Sequence, residues 1–163
     1  MTEENSAEVL NLMRHHGNIG CMEAAVKDDE DVEFLYNFDK DGKLCMYFDV
    51  TVLLDNCGDI ENTISQARKW QKKYESDHIR VRTVKFFGDG SNEAGDVLSL
   101  VPFSNDPEGK NYGSCNFTVE EMRDVLIRLN KERLDLHVHI ICDGTLRRML
   151  DAIESAQKIS GDD

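Results

Sequence analysis

No stretch of this sequence approaches the roughly 20 apolar residues that a membrane-spanning helix requires. Its first residues, MTEENSAEV, are acidic and polar, so they do not resemble a secretory signal. Basic residues are scarce: 19 lysines and arginines accompany 32 aspartates and glutamates, giving a formal net charge of −13. A surface this acidic repels phosphate backbones and anionic lipids, so the composition disfavours nucleic-acid and membrane binding.

The sequence has no CxxC motif, and its five cysteines are odd in number and widely spaced. This pattern disfavours both a disulfide framework and a cysteine-zinc site, and it predicts reduced thiols in a cytoplasmic protein. Prolines number only two, and both lie in one long loop. With 40% hydrophobic and 31% charged residues, the composition is typical of a globular protein. A chain of this length predicts a single domain over residues 1–163.

Strand-like and helix-like segments alternate along the whole chain. Four segments have strand patterns: NIGCMEAAV, predicted to be buried, CMYFDVTVLLD, IRVRTVKFFGDG and LDLHVHIICD. Five helical segments flank them, and Thr118 and Glu121 predict a capping box at the start of the fourth helix. This alternation predicts a parallel sheet built from right-handed βαβ units. A doubly wound sheet and part of a (β/α)8 barrel are the two candidate architectures.

Side-chain parity favours the barrel, because successive strand residues point to opposite faces. In the third strand, Val84 and Phe86 share one face, while Thr83 and Lys85 share the other. The other strands show the same division, with apolar faces formed by Met22 and Ala24, by Met46, Phe48, Val50 and Val52, and by Leu136, Val138 and Ile140. Doubly wound sheets are apolar on both faces, whereas a barrel lumen carries polar groups near its catalytic mouth. The pattern therefore predicts an α/β fold, a partial (β/α)8 TIM barrel with about four parallel strands.

Two ionisable residues, Lys85 and His139, lie late in a strand, just before a turn that contains glycine or aspartate. In βα proteins this end of a strand faces the active site. Histidine is a common zinc ligand, and a buried lysine loses its proton readily. Taken singly, each also fits a structural role, as a hydrogen-bonded histidine or a paired lysine. Glu23 and Asp49 have the parity to approach the same region, but ordinary hydrogen bonding is the favoured interpretation for them.

An ordered set of motifs resembles the middle of the amidohydrolase superfamily, in the branch that includes YtcJ-like and AepA-like metal-dependent hydrolases (amidohydrolase family 3). That branch has a strand like VKLFxDG, a loop with a PYxDxP-like turn, the motif HVHAIGDxA and a helix like LDAIExA. The matching segments here are residues 84–90, 102–113, 137–143 and 150–156. Upstream, NIGCMEAAV resembles a GITxxxEA strand, and DKDGKLCMYFDV resembles a GKLxxR stretch. The resemblance covers nearly the whole chain and corresponds to strands two to five of a barrel of eight.

The resemblance implies a metal-dependent hydrolase that cleaves amide-like C–N bonds of a small-molecule substrate through metal-activated water. In that superfamily, a lysine at the end of strand four can be carboxylated and bridge two divalent metals, and a histidine at the end of strand five binds metal. Carried onto this sequence, the metal ligands are Lys85 and His139. A neutral lysine can capture carbon dioxide, and bound metals, with zinc expected in the family, lower the pKa of water to about 7.

Other parts of the superfamily's site have no counterpart here. Its HxH pair, a further histidine and its catalytic aspartate belong to strands one, six and eight, so no catalytic residue is assigned. His137 is expected to be a neighbour of the ligand, and Cys142 and Gly144 depart from HAIGDxA. We therefore expect a fragment, about half of a barrel, either excised or a truncated relative, with little or no catalysis of its own. The alternative is a non-catalytic half-barrel or interaction module.

Open strand edges invite pairing, and two four-stranded copies would supply eight strands, so a homodimer is a reasonable expectation. The substrate itself is not specified by this sequence, because the loops after all eight strands of a barrel determine it.

Overall fold

The structure, a computed structural model, describes residues 3–161 and contains the predicted alternation of helices and strands. The elements in chain order are α1 (Glu3–His15), β1 (Gly20–Val26), α2 (Asp29–Lys40), β2 (Tyr47–Leu54), a 3-10 turn (Cys57–Asp59), α3 (Ile60–Tyr74), β3 (Ile79–Phe87), α4 (Val119–Glu132), β4 (Asp135–His139) and α5 (Asp143–Ser160). The four strands form one parallel sheet in the order β1-β2-β3-β4. Sequential order with helical crossovers is the arrangement expected of βαβ units.

The chain divides into two compact units, and β3 contributes to both. The first unit comprises the residues up to Leu53 together with Asn62–Val84. The second comprises Leu54–Glu61 and the residues from Lys85 onward. Both predicted metal ligands therefore belong to the second unit. Over the described residues, no helix combines the length and the apolar character that crossing a membrane would require.

The core of the first unit follows the predicted periodicities. In β2 the predicted apolar face is buried, with Phe48, Val50 and Val52 inside and Tyr47 of the opposite face exposed. Thr51, also on that opposite face, is nevertheless fully buried. On α3 the buried residues recur at helical spacing: Thr63, Ile64, Ala67, Trp70 and Tyr74. The indole nitrogen of Trp70 donates a hydrogen bond of 2.7 Å to Asp29 at the start of α2, which links the two helices.

The prediction that β1 is a buried strand is wrong. Met22, assigned to its apolar face, is 42% exposed, and of the whole strand only Val26 is buried. The physical reason is position: β1 lies at the outer edge of the sheet and therefore has a neighbouring strand on one side only. Its pairing with β2 also shifts register between Glu23 and Val26, and Ala25 within this bulge has a positive φ of 66°.

The second unit is built around α4, which contacts both α5 and β4. The predicted capping box is confirmed: the Thr118 hydroxyl accepts from the backbone N–H of Glu121, and the Glu121 carboxylate accepts from that of Thr118. A long loop, residues 88–118, separates β3 from α4 and contains an isolated antiparallel bridge between Leu98 and Gly113. The Leu98 carbonyl accepts a bond of 3.1 Å from the Thr145 N–H, so the loop is fastened to the first turn of α5.

Candidate functional site

Lys85 lies near the end of β3 and is only 5% exposed, and its two neighbours along the strand, Val84 and Phe86, are buried as well. Its ammonium nitrogen lies 4.6 Å from the centroid of the Phe87 ring. Burial lowers the pKa of Lys85 below its ordinary value. Within residues 3–161 this lysine has neither a hydrogen-bond acceptor nor an ion-pair partner. Every fully buried side-chain nitrogen in this range has a hydrogen bond, so the Lys85 nitrogen is not among the fully buried ones. The amine is therefore in contact with solvent although the rest of the side chain is buried.

His139 ends β4 and is half-buried. Its Nε2 lies 3.1 Å from the carbonyl oxygen of Gly90. A carbonyl oxygen only accepts, so Nε2 carries the proton in this bond, and in a neutral ring the lone pair is then on Nδ1. A ring oriented in this way, with one nitrogen donating to a backbone carbonyl, is typical of histidines that bind metal through the other nitrogen.

The structure brings the two predicted ligands together in the second unit. The Phe87 ring, which contacts the Lys85 ammonium, also lies 5.6 Å from the imidazole of His139, centroid to centroid. Burial lowers the pKa of the neighbouring His137, and the charges of Lys85 and His139 lower it further. Phe87 itself is 43% exposed, so this group of side chains borders solvent.

A three-residue segment after β3 surrounds His139. The N–H of Gly88 donates a bond of 3.0 Å to the carbonyl of His139, and the Gly90 carbonyl accepts from its ring. Between these glycines, the buried carboxylate of Asp89 accepts from the N–H groups of Ile141, at 2.9 Å, and Cys142, at 3.2 Å. The sequence motif included Asp89 but assigned it no role. The available signal was a carboxylate between two glycines immediately after a strand.

The carboxylate of Asp49 has a structural role in the first unit. It accepts a bond of 2.5 Å from the Thr83 hydroxyl and a longer one, 3.4 Å, from the Arg82 N–H. Glu23 contributes through its backbone: its carbonyl accepts from the Thr51 hydroxyl at 3.2 Å. The bonds of Asp49 agree with its favoured interpretation as a hydrogen-bonded strand residue. For the Glu23 carboxylate, the same interpretation stays a prediction.

Lys85 and His139 can provide some, but not all, of the ligands that a metal site requires. A metal ion bound by protein side chains generally needs three or four ligands. Over residues 3–161, no group of three or more histidine, cysteine, aspartate or glutamate side chains is arranged to hold a metal. Lys85 and His139 can supply two donors, an amine that burial shifts toward its neutral form and an imidazole with Nδ1 available. Further ligands would have to come from other groups.

The family model described as the amidohydrolase family matches residues 2–163, which is nearly the entire chain. The chain belongs to the amidohydrolase family. It is 24% identical over 163 residues to the exoenzymes regulatory protein AepA of Pectobacterium carotovorum subsp. carotovorum, and the match covers 96% of this chain and 34% of that protein.

Two solved structures have a similar fold. One is an uncharacterized metal-dependent hydrolase from Pyrococcus furiosus, with a TM-score of 0.73, 22% identity and coverage of 95% of this chain and 31% of that one. The other is an uncharacterized metal-dependent hydrolase from Pyrococcus horikoshii OT3, with a TM-score of 0.71, 21% identity and the same two coverages. The fold is thus a partial, barrel-like α/β fold, as predicted. The chain spans about a third of the length of these relatives.

Proposed function

We propose that this chain forms part of a metal-dependent hydrolase that cleaves amide-like C–N bonds of a small-molecule substrate, with Lys85 and His139 as two of its metal ligands. The observation that carries the proposal is the shared contact with Phe87: the Lys85 amine and the His139 ring both lie against it. Family membership supports the class of reaction.

The chemistry of Lys85 suits carboxylation. Burial shifts its amine toward the neutral form, and the absence of an acidic partner among residues 3–161 leaves that shift uncompensated. The neutral amine adds to carbon dioxide, forming an N–C bond and releasing one proton, and the product carbamate carries two oxygen donors. A divalent metal, which we propose to be zinc, supplies Lewis acidity and lowers the pKa of water to about 7 when bound.

Metal titration tests the ligand assignment. We expect the wild-type chain to bind Zn²⁺ or Mn²⁺ stoichiometrically in calorimetry with added bicarbonate, and His139→Ala to lose this binding. His137→Ala is the matched control, because His137 belongs to the same strand and is not assigned as a ligand. Absence of binding by the wild type, or equal loss in both variants, would contradict the assignment of His139.

Carboxylation of Lys85 has its own test. With ¹³C-labelled bicarbonate, we expect a carbamate carbon signal in the NMR spectrum of the wild type that is missing from Lys85→Met. A signal that persists in the variant would place the carbamate on another amine.

We further propose that residues 1–163 form one domain with little or no hydrolytic activity of their own. The supporting observation is the incomplete donor set: two ligands do not hold two metals tightly. The assay is hydrolysis of simple amide and cyclic-amide substrates by the purified chain. Activity that a chelator abolishes would overturn this proposal.

A second candidate function is a non-catalytic module that pairs with a second copy of this chain. The exposure of β1 favours it, since Ile19 before the strand and Met22 within it lie open to solvent. Two copies would together provide eight strands, the number that closes a (β/α)8 barrel. Light scattering tests the pairing. A dimer at micromolar concentration is expected, and a strict monomer at high concentration would exclude it.

For the cellular location we propose the cytoplasm. All five cysteines are free thiols, and a reducing compartment keeps thiols in that state. Alkylation of the protein directly in lysed cells should label all five cysteines after denaturation, whereas protection of two or more would contradict this location.

A further inference from the structure

We propose that Asp89 is a positioning residue of this site: its carboxylate holds the turn between β4 and α5, which keeps the His139 ring bonded to Gly90 through Nε2 and leaves Nδ1 as the ligand nitrogen. This inference rests on the proposed function, since Nδ1 matters only if His139 binds metal. The hydrogen bonds of Asp89 and of the His139 ring are observed in the structure and do not depend on metal binding.

The environment of Asp89 is unusual for a carboxylate. The residue is 1% exposed, and its recorded partners are backbone N–H groups, those of Ile141 and Cys142. Removing a charged group from water costs free energy unless hydrogen bonds compensate it, so these bonds are what makes the burial tolerable. A carboxylate kept at this cost is expected to perform a task that a smaller neutral side chain cannot.

One such task is capping α5. Cys142 occupies the N-cap position of this helix, and its own side chain makes no capping hydrogen bond. Asp89 reaches the same end of the helix from the β3 side and accepts from the Cys142 N–H. A negative charge at a helix N-terminus is also stabilised by the helix dipole. Asp89 thus fixes where α5 begins, directly after the strand that ends in His139.

The residues on either side of Asp89 complete the arrangement. Three consecutive residues, Gly88 to Gly90, bind the main chain of His139, its ring and the two N–H groups beyond Ile140. Space is limited here: a Cβ on Gly88 would lie 3.0 Å from the His139 carbonyl oxygen. Because the segment is tied to β4 at several points, a loosened turn would also free the imidazole from Gly90.

The first measurement is made on the wild type. The ¹⁵N chemical shifts of the His139 ring, assigned by comparison with His139→Gln, report which nitrogen carries the proton. We expect the neutral ring to be protonated at Nε2. A ring protonated at Nδ1 would overturn the proposal without any variant of Asp89.

The second measurement compares two carboxylates of the same loop. Asp89→Asn keeps the size of the side chain but replaces one acceptor oxygen with a donor, and we expect a mixture of ring tautomers and Zn²⁺ affinity weakened about tenfold or more. Asp106→Asn is the matched control, because the Asp106 carboxylate also accepts from backbone N–H groups, those of residues 108, 110 and 111. The control is expected to retain both the tautomer and the affinity.

The outcomes separate this inference from the proposed function. If Asp89→Asn changes the tautomer while the wild type binds no metal, the positioning role stands and the metal assignment fails. If the wild type binds metal and Asp89→Asn changes neither tautomer nor affinity, the positioning role is wrong and the metal assignment stands. Equal effects of both variants would show only general loosening of the loop and would also reject the specific role.

Discussion

Polar side chains of the strands differ in their hydrogen bonding between the two units of this protein. In the first unit the polar strand residues bond to one another: Thr83 donates to Asp49, and Thr51 bridges the bulge of β1. In the second unit, Lys85 is as buried as Thr83, but its ammonium faces an aromatic ring instead of an acceptor. The same alternating sequence pattern therefore yields satisfied groups in one region and a chemically available amine in the other.

This contrast shows what marks a candidate site here. A hydrogen-bonded polar group in a strand stabilises the fold, whereas a buried cation without an acidic partner destabilises it and persists where function requires it. Position near the end of a strand does not by itself identify a site residue, because many residues share it. Among residues 3–161, Lys85 combines burial with the lack of an acidic partner, and this combination is visible only in three dimensions.

The largest effect is expected from disrupting the first region. Thr51 is fully buried, and its hydroxyl accepts from the Ala25 N–H at 2.8 Å. Thr51→Val keeps the shape but leaves that N–H without its acceptor, so the free energy of unfolding should fall by about 2 kcal/mol. Chemical denaturation measures this. Thr51→Ser retains the hydroxyl and should lose clearly less, and an equal loss in both variants would assign the effect to packing.

A smaller effect of opposite sign is expected in the second region. Lys85→Met replaces a largely buried lysine, whose cation has only limited contact with solvent, with an apolar side chain of similar length. We expect the free energy of unfolding to rise by about 1 kcal/mol. Lys69→Met is the control from the first unit, because Lys69 is exposed and paired with Asp29. That change should lower stability slightly, within about 1 kcal/mol. A loss of stability in Lys85→Met would mean that the amine is well compensated.

The pH dependence of this difference provides a further check. The pKa of Lys85 is lowered in the folded chain from its ordinary value of 10.5. Between the two values the unfolded chain binds the proton and the folded chain does not, so stability rises with pH in that window. Below the folded pKa the destabilisation is complete. The advantage of Lys85→Met should therefore shrink as the pH approaches 10.5, and a constant advantage would contradict burial as its cause.

Much of the fold was predictable because it depends on local patterns. The order of elements, the capping box of α4 and the buried apolar face of β2 follow from residue spacing alone. The exposure of β1 did not follow, since a strand's own residues do not reveal whether it lies at the edge of a sheet. The bulge at Ala25 likewise depends on Thr51, a partner 26 residues away.

The candidate site was predictable only in part, because only some of its features depend on local sequence patterns. Motif order selected Lys85 and His139 as candidate ligands, and in the structure both lie against one ring. Their role as ligands stays a prediction. Phe87 and Asp89 belong to the same motif as Lys85. Their roles depend on contacts with β4 and the turn after it, about 50 residues further along the chain. Such contacts are set by tertiary packing, for which the local sequence carries no periodic signal.

The smallest predicted effect concerns the contact between Lys85 and Phe87. A cation over a partly exposed ring contributes about 0.5 to 1 kcal/mol, so a double-mutant cycle of Phe87→Leu and Lys85→Met should give a coupling of that size. A cycle with Lys131→Met, an exposed lysine of α4, should give none. Carboxylation would turn the cation at residue 85 into an anion, which the face of the ring does not attract. The coupling should therefore be present without bicarbonate and decline when bicarbonate is added. If it is unchanged, the amine of Lys85 remains a cation and the contrast between the two regions is purely structural.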